Sequence, residues 1–274
     1  MRWARNKFLA FYPALYHLME DALRNKVLDW LNKGGFPLEM ESAKAFRSAG
    51  FDVRQSATHL DPEEQKGREI DVLAQDPDWV GLIDIYFVLE CKSSDKPWVI
   101  LVAEDTLRNY NRGRCFAVTS DEAQKEISSN WRSGGEFKEL IDKPVRCGYG
   151  FQQALGGKND KAYGAAISVL KACSGLTSDR EPTGLKRLAF AFPVIVVNSP
   201  IFECSLNSDG ELELEEVQES EFLFSAHIPK EISCCIKVIR REKLVDYSVK
   251  AKSIADTVRA TMKSVEDKMF GNTS

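Results

Sequence analysis

The sequence predicts an α/β protein built on a mixed sheet, and three observations carry that expectation. Helical stretches with apolar residues on one face alternate with short apolar runs. Two of those runs, residues 69–75 and 82–92, flank the turn-rich segment Asp76-Pro77-Asp78-Trp79-Val80-Gly81. Another, Leu188 to Asn198, is almost continuously apolar, the mark of a strand buried on both faces. Helix, three strands, helix and buried strand in that order read as α/β, with further elements at both ends.

Each element has its own signal. Residues 3–32 carry Phe8, Phe11, Leu15, Leu18, Ala22, Val27, Leu28 and Leu31 at helical spacing, with Pro13 as an interruption and Gly34-Gly35 as the stop. Residues 1–35 are therefore expected as an N-terminal helical extension. A second helix, 38–49, closes at Gly50. Strands are expected at Phe51–Ala57, Glu69–Gln75, Leu82–Lys92 and Trp98–Ala103. Residues 105–147 are polar and irregular and read as an insertion. A helix is expected over 151–173, ahead of the buried strand, and residues 36–200 form the core. In 201–274, Asp209-Gly210 marks a hairpin, a strand follows at Cys234–Arg240, and a helix over about 248–268 closes the chain.

Composition narrows the function. The chain has 274 residues, 37 Lys+Arg against 41 Asp+Glu, and 43% hydrophobic residues, enough for a substantial core. No stretch reaches the roughly 18 to 20 apolar residues of a bilayer crossing. The basic start, Arg2 to Lys7, leads into a segment with Glu20, Asp21 and Asp29, unlike a secretory leader. A cytoplasmic protein with no membrane partner is expected. The seven cysteines include no Cys-x-x-Cys pair, and the three histidines are far apart, so zinc-hydrolase spacing is missing. Neither a phosphate loop nor a Gly-x-Ser-x-Gly elbow occurs. Chemistry should come from carboxylates and lysines.

Those groups concentrate in Arg68-Glu69-Ile70-Asp71 and in Leu89-Glu90-Cys91-Lys92. Alternation along a strand puts Glu90 and Lys92 on one face and Cys91, with Ile83, Ile85, Phe87 and Leu89, on the core face. An antiparallel hairpin centred between Val80 and Gly81 sets Asp71 opposite Glu90, with turn residues at its tip. Adjacent carboxylates repel unless a cation lies between them. Mg²⁺ suits one or two carboxylates plus a phosphate, and Lys92 could orient a water or neutralise charge developing on the phosphate.

This pattern resembles the PD-(D/E)xK nuclease superfamily, whose restriction-endonuclease-like fold carries an acid on a second strand, Glu/Asp-x-Lys on a third, and a Glu on an upstream helix. The matching positions are Asp71, Glu90 and Lys92. For the helical acid, Glu39 shares the face of Ala43, Phe46 and Gly50, whereas Glu41 falls nearer Lys44 and Ser48 on the wet side. Glu39 is preferred. The residue before Asp71 is Ile70 and not Pro, and the expected helix at 151–173 lacks the Gln-x-x-x-Tyr spacing of the exonuclease branch. The resemblance implies a helix, a three-stranded antiparallel meander, a helix and a further strand. It also implies Mg²⁺ or Mn²⁺ held by Glu39, Asp71, Glu90 and the Cys91 carbonyl, with Lys92 positioning the attacking water.

The implied function is a metal-dependent endonuclease that hydrolyses phosphodiester bonds in DNA, in defence against foreign DNA, with RNA as the alternative to DNA. Gln152 and Gln153, expected at a helix start, and Arg112 and Arg114 in a basic segment with Tyr110, are the candidate nucleic-acid contacts. By analogy with the superfamily the N-terminal block could pair two copies as a homodimer, and a regulatory protein partner is compatible with the same reading. The alternative is a non-catalytic nuclease-like module that binds nucleic acid or a protein.

Overall fold

The computed structural model describes residues 21–130, 136–142, 144–156, 161–178 and 187–269. The chain divides into two units, Met1–Pro37 and Leu38–Ser274. In the first, residues 21–33 form helix α1, on which Leu23, Val27 and Trp30 are exposed. Trp30 packs against Phe36 with ring centroids 5.5 Å apart. The earlier part of the expected N-terminal helical block lies outside the described residues.

Helix α2 (Phe36–Ser48) buries Leu38, Ser42, Ala43, Ala45 and Phe46, one stripe at helical spacing. Gly50 follows it with φ of 96°, a conformation that glycine adopts without strain. The chain then makes an antiparallel meander, β1 (Asp52–Leu60), β2 (Gly67–Gln75) and β3 (Ile83–Lys92). In the β2–β3 ladder Val72 pairs with Leu89, Leu73 with Val88, Ala74 with Phe87 and Gln75 with Tyr86. That register follows from a turn centred between Val80 and Gly81. The Asp78 carboxylate closes the turn by accepting the N–H groups of Val80, Leu82 and Ile83 at 2.9, 3.1 and 2.9 Å.

The buried strand is β7 (Leu188–Val197), and all ten of its residues are buried. It lies parallel to β3, from Ile83 beside Leu188 to Lys92 beside Val197. Helix α6 (Lys161–Thr177) covers one face of this pair: Ala165, Val169 and Cys173 pack with Tyr86, Val88 and Ile195. On the other face α2 and the closing helix α7 (Leu244–Met269) pack Phe46, Ala251 and Val258 against Ile85, Phe87 and Val194.

The segment between β3 and α6 holds β4 (Trp98–Ala103), α3 (Arg112–Cys115), β5 (Val118–Thr119), α4 (Asp121–Asn130), α5 (Glu136–Ile141) and β6 (Cys147–Gln153). After β7 come β8 (Ile201–Leu206), β9 (Leu212–Val217), β10 (Glu219–Ile228) and β11 (Lys230–Arg240). All join one mixed sheet in the order β1-β2-β3-β7-β11-β10-β6-β4-β8-β9, with β5 also on β7. The fold is therefore mixed α/β around a large mixed sheet. No helix among the described residues is long and apolar enough to cross a membrane.

One expected element is corrected. Residues 147–153 are a strand, and the helix expected from 151 begins at Lys161. Aromatic packing explains this: Phe151 stacks between Trp98 and Phe222, with centroids 5.1 and 5.0 Å away. Gly148 lets β6 pass this closely, since a Cβ there would meet Ile100 and come within 2.8 Å of both the Glu221 carbonyl oxygen and Phe222 Cβ.

Candidate functional site

Side chains of β3 alternate between the two layers. Ile83, Ile85, Phe87, Leu89 and Cys91 join the α2–α7 layer, while Tyr86 and Val88 pack under α6. Both faces are thus buried, whereas alternation had marked only the Cys91 face as core: Glu90 is 8% exposed. Its two carboxylate oxygens have separate partners. Ser168 of α6 donates to Oε2 at 3.0 Å, and the Lys92 ammonium pairs with Oε1. The Lys92 side chain is 31% exposed against 11% for that of Glu90, so solvent reaches the pair from the lysine side. The pair sits at the carboxyl ends of the parallel strands β3 and β7, where open α/β sheets commonly bind ligands.

Asp71 lies where β2 rotates. The β1–β2 ladder runs from Asp52–Gln75 to Leu60–Gly67 and skips the position where Ser56 meets Asp71. Ser56 has φ of 51°, unusual for a residue with a Cβ. Ile70 packs in the α6 layer and Val72 in the opposite one, although residues two apart on a regular strand share a face. On the other edge the β2–β3 ladder ends at Val72–Leu89. The next N–H of β3 that faces β2, that of Cys91, donates to Asp71 Oδ2 at 2.7 Å. Odd-numbered residues of β3 face β2, as the 2.9 Å bond from Asp76 N–H to the Ile85 carbonyl shows. The Cys91 carbonyl is therefore directed to the same side as Asp71.

Glu39 projects from the first turn of α2, half-buried. Burial raises its carboxyl pKa, and the charges of Asp71, Glu69 and Glu90 add to the rise while Lys92 opposes it. Burial likewise raises Asp71, against the Cys91 N–H and Lys92, with Glu69 adding to the rise. Glu90 is raised first by burial and then by Asp71, in spite of Lys92 and Ser168. Burial alone would depress the Lys92 ammonium, yet Glu90 and Asp71 carry it above its ordinary value. Both partners of the Lys92–Glu90 pair shift upward because two acids favour the lysine's charge, whereas one amine does not offset the burial of the acid. Glu39, Asp71, Glu90 and Lys92 thus form one electrostatic cluster, from a helix and two strands.

The remaining candidates make other contacts. Glu41 is ion-paired with Arg241 on the surface. Gln153 ends β6 and donates to Ser94 Oγ at 2.8 Å, bracing the loop that leaves β3, while Gln152 is exposed. Neither starts a helix. Arg112 and Arg114 sit on the short helix α3, which packs on β5, β11 and α4 and away from β2. Two neighbours of the cluster, Glu69 and Ser168, were not singled out from the sequence. Glu69 alternates with Asp71 on β2 and could have been found by that spacing; Ser168 meets Glu90 across 78 residues and left no local signal.

Among the described residues no three His, Cys, Asp or Glu side chains are already gathered at metal-ligating spacing. The oxygen donors that could face a hard cation are the carboxylates of Asp71 and Glu90 and the Cys91 carbonyl. Mg²⁺ binds through one or two carboxylates and keeps several waters, so this set fits it chemically. Asp71 adds to the burial that raises both Glu39 and Glu90, with a single amine in opposition, and a divalent cation would supply the positive charge this arrangement favours. Two sizeable clefts lie elsewhere, one of about 510 Å³ beside Lys237 and Tyr247 and one of about 680 Å³ over β4, β8 and β9. No protein-family profile, curated protein or solved structure matches this chain.

Proposed function

We propose that the chain is a divalent-metal-dependent nuclease with a restriction-endonuclease-like core formed by α2, β1, β2, β3, α6 and β7. The observation that carries this reading is that Asp71, bonded to the Cys91 N–H, and the Lys92–Glu90 pair meet at one end of the β2–β3 hairpin, with Glu39 of α2 within reach of their charge. The element order supports it: helix, antiparallel meander, a helix over the sheet, and a strand parallel to β3.

Asp71 and Glu90, with the Cys91 carbonyl, would hold Mg²⁺ or Mn²⁺, and Glu39 would add negative charge on the α2 side. When bound, the ion supplies Lewis-acid stabilisation of phosphate charge and eases deprotonation of water. Ser168 keeps the Glu90 carboxylate oriented through Oε2. Lys92, the more exposed side chain of the pair, would hold the attacking water beside the scissile phosphate through Nζ and offset the charge that develops there. DNA is the substrate proposed, in defence against foreign DNA; RNA is the other polymer the same chemistry would cut.

The test is incubation of the full chain with plasmid, single-stranded DNA and RNA in Mg²⁺ or Mn²⁺, beside Asp71→Ala and Lys92→Ala. Cleavage that needs the metal and falls at least about 100-fold in either folded variant is expected. Full activity in the double variant would refute the assignment, and retarded but uncut substrate would favour the non-catalytic binding module.

A further inference from the structure

The face of β4, β8 and β9 turned away from Trp98 and Ile100 is uncovered among the described residues. Val99, Leu101 and Ala103 of β4 and Phe202 and Cys204 of β8 are half-exposed there. Leu206, Leu212 and Leu214 are 67%, 76% and 61% exposed. Strand register makes these one surface, with Leu101 beside Cys204, Cys204 beside Leu214, and Leu206 beside Leu212. The cleft of about 680 Å³ crosses it. A contiguous apolar patch of this kind marks an interaction site more often than a free surface. β9 is also the terminal strand of the sheet, paired with β8 alone, so its outer backbone edge is open among the described residues.

Charge indicates what fits that edge. Glu213 and Glu215 alternate with the two leucines of β9 and project to the opposite face. No ion pair among the described residues engages Glu211, Glu213 or Glu215; Glu216 is held by Arg240 at 2.9 Å. Glu215 lies directly across from Glu203, a like-charge pair that costs stability, and Arg146 is already shared between Glu203 and Glu104. Addition of a second copy through its own β9 would bring these acids against themselves, which disfavours self-pairing.

We propose that β9 accepts, by edge-strand addition, an extended segment of a partner protein in which basic and apolar residues alternate. Its basic side chains meet Glu213 and Glu215, and its apolar ones extend the stripe of Leu206, Leu212 and Leu214. The surface stands independently of the chemistry assigned to Asp71 and Glu90.

A blocked peptide of about eight residues alternating Lys and Val, and one of the same composition in block order, test this against the full chain. The alternating peptide is expected to bind and to slow amide exchange within residues 212–217. Glu213→Lys with Glu215→Lys is expected to weaken that binding about tenfold and to transfer preference to a Glu/Val alternating peptide. Equal binding of the block peptide, protection confined to other strands, or a dimer with β9 protected in the absence of peptide would overturn the proposal.

Discussion

Asp76 closes the site-bearing hairpin onto α7, and its removal has a calculable cost. Its side chain is 1% exposed and accepts from Lys252 at 2.8 Å and from Arg259 Nε and Nη2 at 2.8 and 2.6 Å. Breaking a buried ion pair from one side costs about 3 to 5 kcal/mol, because a buried charge loses its partner. Here the low end applies. The Lys252 and Arg259 side chains are 32% and 25% exposed, and each keeps another acid, Asp256 and Asp78 respectively. Asp76→Ala should therefore lose about 3 kcal/mol, which lowers the melting midpoint of a chain this size by about 6 to 12 °C. Asp76, just past the end of β2, lies five residues of extended chain from Asp71, about 17 Å, so the site cluster should survive in the folded fraction. Denaturant unfolding of Asp76→Ala, Arg259→Ala and the double variant separates the coupling from the general loss. A single-variant loss below about 0.5 kcal/mol, or strict additivity, would refute the clamp.

Two further predictions concern the site and the sheet. A raised Glu90 pKa means that the native state binds the proton more tightly than the unfolded chain does. Stability therefore falls as pH rises from the ordinary carboxylate range through the raised value, and the full cost is present above it. Glu90→Gln should accordingly be more stable than the native protein at neutral pH, with the difference vanishing below about pH 4; a variant less stable at neutral pH would contradict the burial argument. Gly148→Ala should lose about 3 kcal/mol in chemical denaturation, because its new methyl meets the Glu221 carbonyl and Phe222 at 2.8 Å; an unchanged midpoint would show that β6 can shift freely.

The turn residues between β2 and β3 were enough to set the register of that hairpin, and helical periodicity was enough to turn Glu39 rather than Glu41 toward it. What local pattern could not show is the place where regularity stops. Ser56 and Asp71 break the β1–β2 ladder, and nothing in their neighbours announces a backbone rotation there. The same limit explains the burial of Glu90: alternation assigns it a face, but the covering helix arrives from residues 161–177. Residues 147–153 misled for a related reason. Their glycines resemble helix punctuation until the neighbouring strands that need the close approach at Gly148 are known. The long closing helix and the buried strand at 188–197 were legible because each carries its own continuous pattern.

The proposed nuclease requires Asp71 and Glu90 to share one divalent cation beside Lys92. Crystals soaked in Mn²⁺ and examined by anomalous diffraction address it directly. One strong peak touching both carboxylates is expected, with the Lys92 ammonium moved off Glu90 Oε1. Bound manganese elsewhere, with Lys92 still paired to Glu90 and no peak between the two acids, would contradict it.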